Sequence, residues 1–189
     1  MKILFTDPLH NEGIRLLKNA NFEVIDGTNA SIEKKISLSR DVDAWLIRSG
    51  TTINKKAIDR AQKLKIIGRA GVGVDNIDLE SAGSAGIMVV NAPNASTQSV
   101  VELTIGHLLS SLRHIPKSDR SMRAGKWEKK EMRGTELSGK CLGLIGFGRI
   151  AQGVAKVANS LGMEIHTYDP YLPPKVAKSQ GAYLHKTVD

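Results

Sequence analysis

The sequence predicts an α/β fold built on mainly parallel sheets, and three observations carry that prediction. Apolar runs of strand length alternate with helix-period segments from the first residue onward. The 189 residues, 41% of them apolar, suffice for one large domain or two small ones with a real core. After a polar interruption the alternation starts afresh at Cys141, where a strand runs through a glycine-rich turn into a helix.

The elements follow in order. Lys2 to Phe5 reads as a strand, Glu12 to Asn19 as a helix, Phe22 to Ile25 as a strand and Ile32 to Leu38 as a short amphipathic helix. Ala44 to Ile47 continues the series. Asn54 is placed to cap a helix Lys55 to Gln62, and Leu64 to Ile67, Ile77 to Ala82 and Ile87 to Val90 read as strand, helix and strand. Such density of alternation, within roughly the first 90 residues, is that of a doubly wound lobe of flavodoxin-like type, drawn at residues 1–93.

The second part is drawn at 94–189: after Asn91-Ala92-Pro93-Asn94 the texture changes to a long apolar helix capped by Ser96 or Thr97. From Pro116 to Gly139 the chain is polar and weakly periodic and carries Trp127, as expected of an exposed helix and an arm that docks elsewhere. Strand Cys141 to Ile145, helix Ile150 to Leu161, strand Glu164 to Tyr168 and a weak strand at Ala182 to Leu184 complete the pattern. A dinucleotide fold uses two βαβαβ halves, and the first alone nearly exhausts the residues to Asp189, so the chain is expected to be truncated inside that domain.

Composition excludes several classes. Lys plus Arg outnumber Asp plus Glu by 27 to 19, a net charge of +8 that suits any anionic ligand. The basic residues form no homogeneous stripe, and aromatics are only 4% of the chain, too few for base stacking, so nucleic acid is not an expected partner. No apolar run reaches the roughly 18–20 residues of a membrane span, and the charged opening is no signal peptide; a cytoplasmic location is the expectation. Cys141 stands alone, with no ligand-spaced partner in sequence, and reads as core filler; no metal site is expected.

The most informative motif is Gly-x-Gly-x-x-Ala from Gly146 to Ala151, lying where a strand ends and a helix begins. Gly146 permits the tight turn, Gly148 leaves room for a pyrophosphate over the helix N-terminus, and Ala151 is small enough for close helix–sheet packing. Asp169 follows the next strand, roughly 20 residues past the turn, where a carboxylate accepts the hydroxyls of an adenine ribose and repels a 2′-phosphate. No arginine between Pro170 and Asp189 reverses that preference, although Lys175 and Lys178 lie nearby, so NAD is the expected cofactor.

With these residues in view, the whole chain resembles the D-isomer-specific 2-hydroxyacid dehydrogenases, and among them the phosphoglycerate dehydrogenases that open serine biosynthesis. The resemblance rests on Ile47-Arg48-Ser49, Gly68-Arg69-Ala70-Gly71-Val72-Gly73-Val74-Asp75-Asn76-Ile77-Asp78, Asn91-Ala92-Pro93-Asn94, Gly125-Lys126-Trp127-Glu128 and Gly134-Thr135-Glu136-Leu137, with Gly139-Lys140 leading into the glycine loop. It implies a flavodoxin-like substrate lobe followed by the first half of a Rossmann NAD-binding domain. It also implies an oxidoreductase that moves hydride from the C2 hydroxyl carbon of 3-phosphoglycerate to NAD.

The same resemblance assigns residues. The turn Gly71-Val72-Gly73 would present backbone N–H groups to the substrate carboxylate beside the nicotinamide, and Val72 is also a cofactor-binding position, standing where many members carry a threonine whose hydroxyl can reach the cofactor, so only its backbone serves. Arg149 and Ile150 match pyrophosphate contacts, joining Gly146, Gly148 and Asp169 as cofactor residues. Arg48 and Arg69, with Ser49, match positions associated with substrate binding, and two guanidiniums favour a doubly charged phosphorylated hydroxyacid. The family's catalytic arginine, glutamate and histidine are expected beyond Asp189, leaving no catalytic residue in the chain; the five histidines do not occupy that segment. The arm around Trp127 resembles a dimerisation segment, so a homodimer or higher homo-oligomer is expected. The alternatives are a sibling acting on glyoxylate or lactate, and a non-catalytic NAD-sensing module.

Overall fold

Strand β1 (Lys2–Phe5), helix α1 (Asn11–Asn19), β2 (Glu23–Asp26), α2 (Ile32–Leu38), β3 (Ala44–Ile47), α3 (Lys55–Arg60), β4 (Ile66–Arg69), α4 (Leu79–Ser84) and β5 (Met88–Asn91) follow one another as strand and helix in turn. They belong to a computed structural model that describes all residues from Met1 to Asp189 and divides into two units, Met1–Ser96 and Thr97–Asp189.

In the first unit the strands pair in parallel in the order β2-β1-β3-β4-β5, the doubly wound order expected of a flavodoxin-like lobe. Each helix starts where a side chain accepts an orphan N–H: Ser31 from Lys34, Asn54 from Ala57 at 3.1 Å and Asp78 from Ser81 at 2.9 Å. The core is Leu4, Trp45, Ile47, Ile53 and Ile67, all essentially inaccessible. Trp45 brings a polar handle into that core and satisfies it, its Nε1–H donating to Thr6 Oγ1 at 2.9 Å.

Most other boundaries shift by one or two residues, and two of the shifts have a local reason. α4 begins at Leu79 because Asp78 caps it, while Ile77 is drawn into an isolated parallel bridge with Ile53. β4 runs from Ile66 to Arg69, past the apolar stretch, so that its polar end reaches the loop that follows.

The second unit holds α5 (Thr97–Leu112), α6 (Ile115–Arg123), β6 (Cys141–Ile145), α7 (Arg149–Ser160), β7 (Glu164–Tyr168), α8 (Pro174–Ser179) and β8 (Ala182–His185). Its parallel sheet has the order β6-β7-β8. Phe147, Ala155, Ala158 and Ile165 form its core, joined by Leu108, Leu109 and Leu112 of α5. α5 and α7 cross closely at Gly153, where an added Cβ would lie 2.6 Å from Val101 Cγ2. α8 escaped the sequence reading, and Cys141 corrects it: the thiol is exposed at the start of β6 rather than packed in the core. No helix is long and apolar enough to cross a membrane.

Candidate functional site

In the second unit β6 passes through Gly146-Phe147-Gly148 into α7. Gly146 takes φ +85°, the left-handed region that favours glycine, and its N–H donates to the Tyr168 carbonyl at 2.7 Å. Gly148 is the N-cap residue of α7 in extended conformation, with no side-chain cap, so the first-turn N–H groups lack a protein acceptor. An added Cβ at Gly146 or at Gly148 would find no protein atom within 4 Å. The loop is therefore an open cradle of backbone donors at a helix N-terminus, fit for an anion such as a pyrophosphate. Arg149 is exposed beside it and Ile150 half-buried.

Asp169, at the carboxyl end of β7, is tied to the same loop. Its Oδ2 accepts the Phe147 N–H at 2.8 Å and its Oδ1 the Tyr171 N–H at 2.9 Å. These two backbone donors, Phe147 foremost, hold the carboxyl below the usual carboxylate range. An ionised carboxylate has about four acceptor positions, so roughly two stay available to sugar hydroxyls. Gly146, Gly148, Arg149, Ile150 and Asp169 thus come together.

In the first unit a second loop is built from side chains. Buried Asp7, just past β1, accepts the N–H of Arg48 at 2.6 Å and that of Thr51 at 3.0 Å, as well as the Thr51 hydroxyl at 2.7 Å. Asn76 donates to the carbonyls of Arg48 and Thr51 at 2.7 and 2.6 Å while its Oδ1 accepts Arg69 Nε at 2.9 Å. The turn Gly71-Val72-Gly73 is fixed by the Ala92 N–H on the Gly71 carbonyl at 2.9 Å and by Asn91 Nδ2 on the Val72 carbonyl at 2.6 Å.

The two arginines differ. Arg48 and Ser49 are exposed, and Arg48 has no carboxylate within salt-bridge distance. Arg69 has a side chain only 11% exposed, folded under Gly71 and 3.9 Å from Asp75. Sequence reading missed Asp7, Asn76 and Asn91, which carry this architecture; a short polar residue just past a strand end is the one local signal for them. Of the histidines, His10 caps α1 and His166 faces His185 across neighbouring strands at 2.8 Å.

Known proteins share this arrangement of sequence and structure. The family model described as D-isomer specific 2-hydroxyacid dehydrogenase, catalytic domain, matches residues 3–185. The D-3-phosphoglycerate dehydrogenase of Methanocaldococcus jannaschii is 50% identical over 184 residues, which are 97% of this chain and 35% of that protein. The hydroxypyruvate reductase of Thermotoga maritima is 45% identical over 174 residues, 91% of this chain and 56% of that protein. The structure of an NAD-dependent formate dehydrogenase from Staphylococcus aureus in complex with NAD matches with a TM-score of 0.83 at 26% identity, over 98% of this chain and 60% of that one. The chain spans between about a third and somewhat over half of the length of these relatives.

Proposed function

Because the chain belongs to the D-isomer specific 2-hydroxyacid dehydrogenase family, we propose that it is the cofactor- and carboxylate-binding portion of an NAD-dependent enzyme that oxidises the C2 hydroxyl of 3-phosphoglycerate. The observation that carries this reading is the open cradle at Gly146 and Gly148 with Asp169 tethered to it. NAD, when bound, supplies the hydride acceptor for C2 of the hydroxyacid.

This chain's residues do the holding. The amides at the start of α7 and the guanidinium of Arg149 neutralise the pyrophosphate, with Ile150 beside them. Asp169 keeps its charge near neutral pH and takes the ribose hydroxyls, which disfavours a 2′-phosphate. The backbone N–H groups of Val72 and Gly73 receive the substrate carboxylate on a turn kept rigid by Asn91, while the Gly71 N–H closes the turn on the Arg69 carbonyl at 2.8 Å. Arg48, with Ser49 next to it, is the free guanidinium for a phosphate, and Arg69 lends positive charge from beneath Gly71. None of the five histidines is assigned the acid–base step, which we place outside these residues.

The second unit also offers a surface for a second copy of the chain, as a homodimer requires. A groove of about 1110 Å³ runs along α6 and the arm, lined by Met122, Trp127, Met132 and Arg133, and Trp127 is 77% exposed. A Trp left in water at such a place fits burial in a subunit interface. Light scattering on the full-length protein should return at least a dimer mass, and a monomer would remove this part of the reading.

The identity with a hydroxypyruvate reductase favours one second reading, a sibling acting on an unphosphorylated hydroxyacid. Calorimetric titration of the full-length protein, first with NAD and NADP and then with 3-phosphoglycerate and glycerate, separates the two. NAD binding tighter than NADP and a preference for the phosphorylated acid are expected. Equal affinity for both acids would leave the sibling reading, and no dinucleotide binding would overturn both.

A further inference from the structure

We propose that Cys141, Glu164 and His166 form a binding site for a zinc-type divalent transition ion on the face of the β6-β7-β8 sheet, separate from the dinucleotide cradle. The parallel register sets Cys141 opposite Glu164 and Gly143 opposite His166, so the three side chains share one face at the amino ends of β6 and β7. One ligand atom from each lies within 4.8 Å of the others. Glu164 Oε2 is 3.7 Å from Cys141 Sγ and 3.7 Å from His166 Nε2.

Those spacings are near what an ion demands. With metal–sulfur, metal–nitrogen and metal–oxygen distances of roughly 2.3, 2.0 and 2.1 Å, tetrahedral ligands sit about 3.4–3.6 Å apart. A histidine–glutamate hydrogen bond would be shorter, about 2.7–2.9 Å. His166 Nε2 is in fact buried and has no hydrogen-bond partner at all. A buried ring nitrogen left unpaired is costly, and a metal ion between it, the carboxylate and the thiol removes that cost.

The rest of the neighbourhood fits. His166 Nδ1 meets His185 Nε2 at 2.8 Å. When Nδ1–H is the donor of that contact, Nε2 carries the lone pair and is aimed at the ion, the outer partner that metal-binding imidazoles use. Gly143, opposite His166, puts no side chain of its own between the three ligands. A thiolate and a carboxylate balance the double positive charge, and the sulfur selects zinc or cobalt over magnesium or calcium. Along the strands, at about 3.3 Å per residue, Cys141 lies about 16 Å from Gly146 and His166 about 10 Å from Asp169, too far for the ion to touch the cofactor residues, so its role is in the fold or its regulation.

The test uses the full-length protein, stripped with chelator and titrated with Zn²⁺ in a calorimeter and with Co²⁺ in a spectrophotometer. One ion per chain and a thiolate-to-cobalt charge-transfer band are expected, with affinity at least about tenfold weaker in Cys141→Ser and His166→Gln. A band unchanged in Cys141→Ser, or no stoichiometric binding by the wild-type protein, overturns the proposal. Should His166→Gln fail to fold, alkylation of the wild-type Cys141 peptide, followed by mass spectrometry, decides: slowing by Zn²⁺ but not by Mg²⁺ supports the site, and no slowing overturns it.

Discussion

The molecule carries two glycine turns at strand ends, and they ask for glycine on different grounds. At Gly71 an added Cβ would run into the Arg69 guanidinium, and at Gly73 it would come within 2.8 Å of Asp75 Oδ1. At Gly146 and Gly148 it would meet nothing within 4 Å. The first turn is filled from within by its own side chains, so its glycines serve the fold. No side chain of the protein crowds the second, so the demand at Gly148 comes from outside the chain. A residue kept small without an internal neighbour points to a ligand, whereas one kept small against a side chain does not.

The sharpest way to break this contrast is Gly148→Val. The backbone there is extended, a conformation any residue adopts, so the melting temperature should fall by only a few degrees, the cost of a poorer N-cap residue, while the branched side chain fills the cradle. NAD affinity should fall about 100-fold or more, some 2.7 kcal/mol. Calorimetry and a melting curve on the same sample read both. A large loss of stability would show that the fold needs this glycine, and the distinction between the two turns would disappear.

The mirror experiment is Gly71→Ala. The new methyl group displaces a guanidinium that is pinned to Asn76, so the charged hydrogen bond at 2.9 Å is lost, at a cost of about 1.5–3 kcal/mol. Denaturant unfolding should report it, and NAD affinity should change little. Gly73→Ala should cost far less, because Asp75 is 86% exposed and free to swing away. Equal effects at the two positions would mean that Arg69 does not hold the turn.

How much of this was legible in the sequence depends on whether the signal was local. Lys2–Phe5, Ala44–Ile47, Cys141–Ile145 and Glu164–Tyr168 are delimited in sequence as found, the first two as apolar runs and the others as short alternating segments bounded by turn residues. α4 was misplaced because Ile77 looks like a helix face, yet a bridge to Ile53 claims it and Asp78 is the stronger start signal. α8 was missed because its opening proline, which suits a first helical turn, reads in isolation as a breaker. The glycine loop and Asp169 form a local motif and were found. Asp7, Asn76 and Asn91 act on partners 41, 28 and 19 residues away, which the fold alone brings near. Cys141 reads as core in the sequence for the same reason, its neighbours Glu164 and His166 arriving through strand register.

Arg48 sharpens the comparison on the side of the first turn. Its side chain is exposed and has no salt-bridge partner, so Arg48→Ala should leave stability within about 0.5 kcal/mol. The KM for 3-phosphoglycerate in the full-length enzyme should rise about tenfold, near 1.4 kcal/mol, with little change for glycerate. A parallel rise for both acids would take the phosphate away from Arg48.

The smallest effect near neutral pH, and the most diagnostic of how the second turn is held, is the titration of Asp169. Its carboxyl is lowered from 3.8 by the N–H groups of Phe147 and then Tyr171, so the folded form keeps the charge where the unfolded chain would lose it. For a depressed carboxylate the stabilisation is complete above the unfolded value and is lost as pH falls through the folded one. Loop stability and NAD affinity should therefore stay flat, as far as Asp169 governs them, from pH 8 down to about 5 and weaken only below about pH 4. Asp169→Asn should weaken NAD at pH 7 and flatten that acid limb, because the amide has a single acceptor oxygen and no charge to lose. Hydrogen exchange at the Phe147 amide, followed against pH, reads the tether itself. Protection already failing at pH 6 would mean that Asp169 does not hold the cradle.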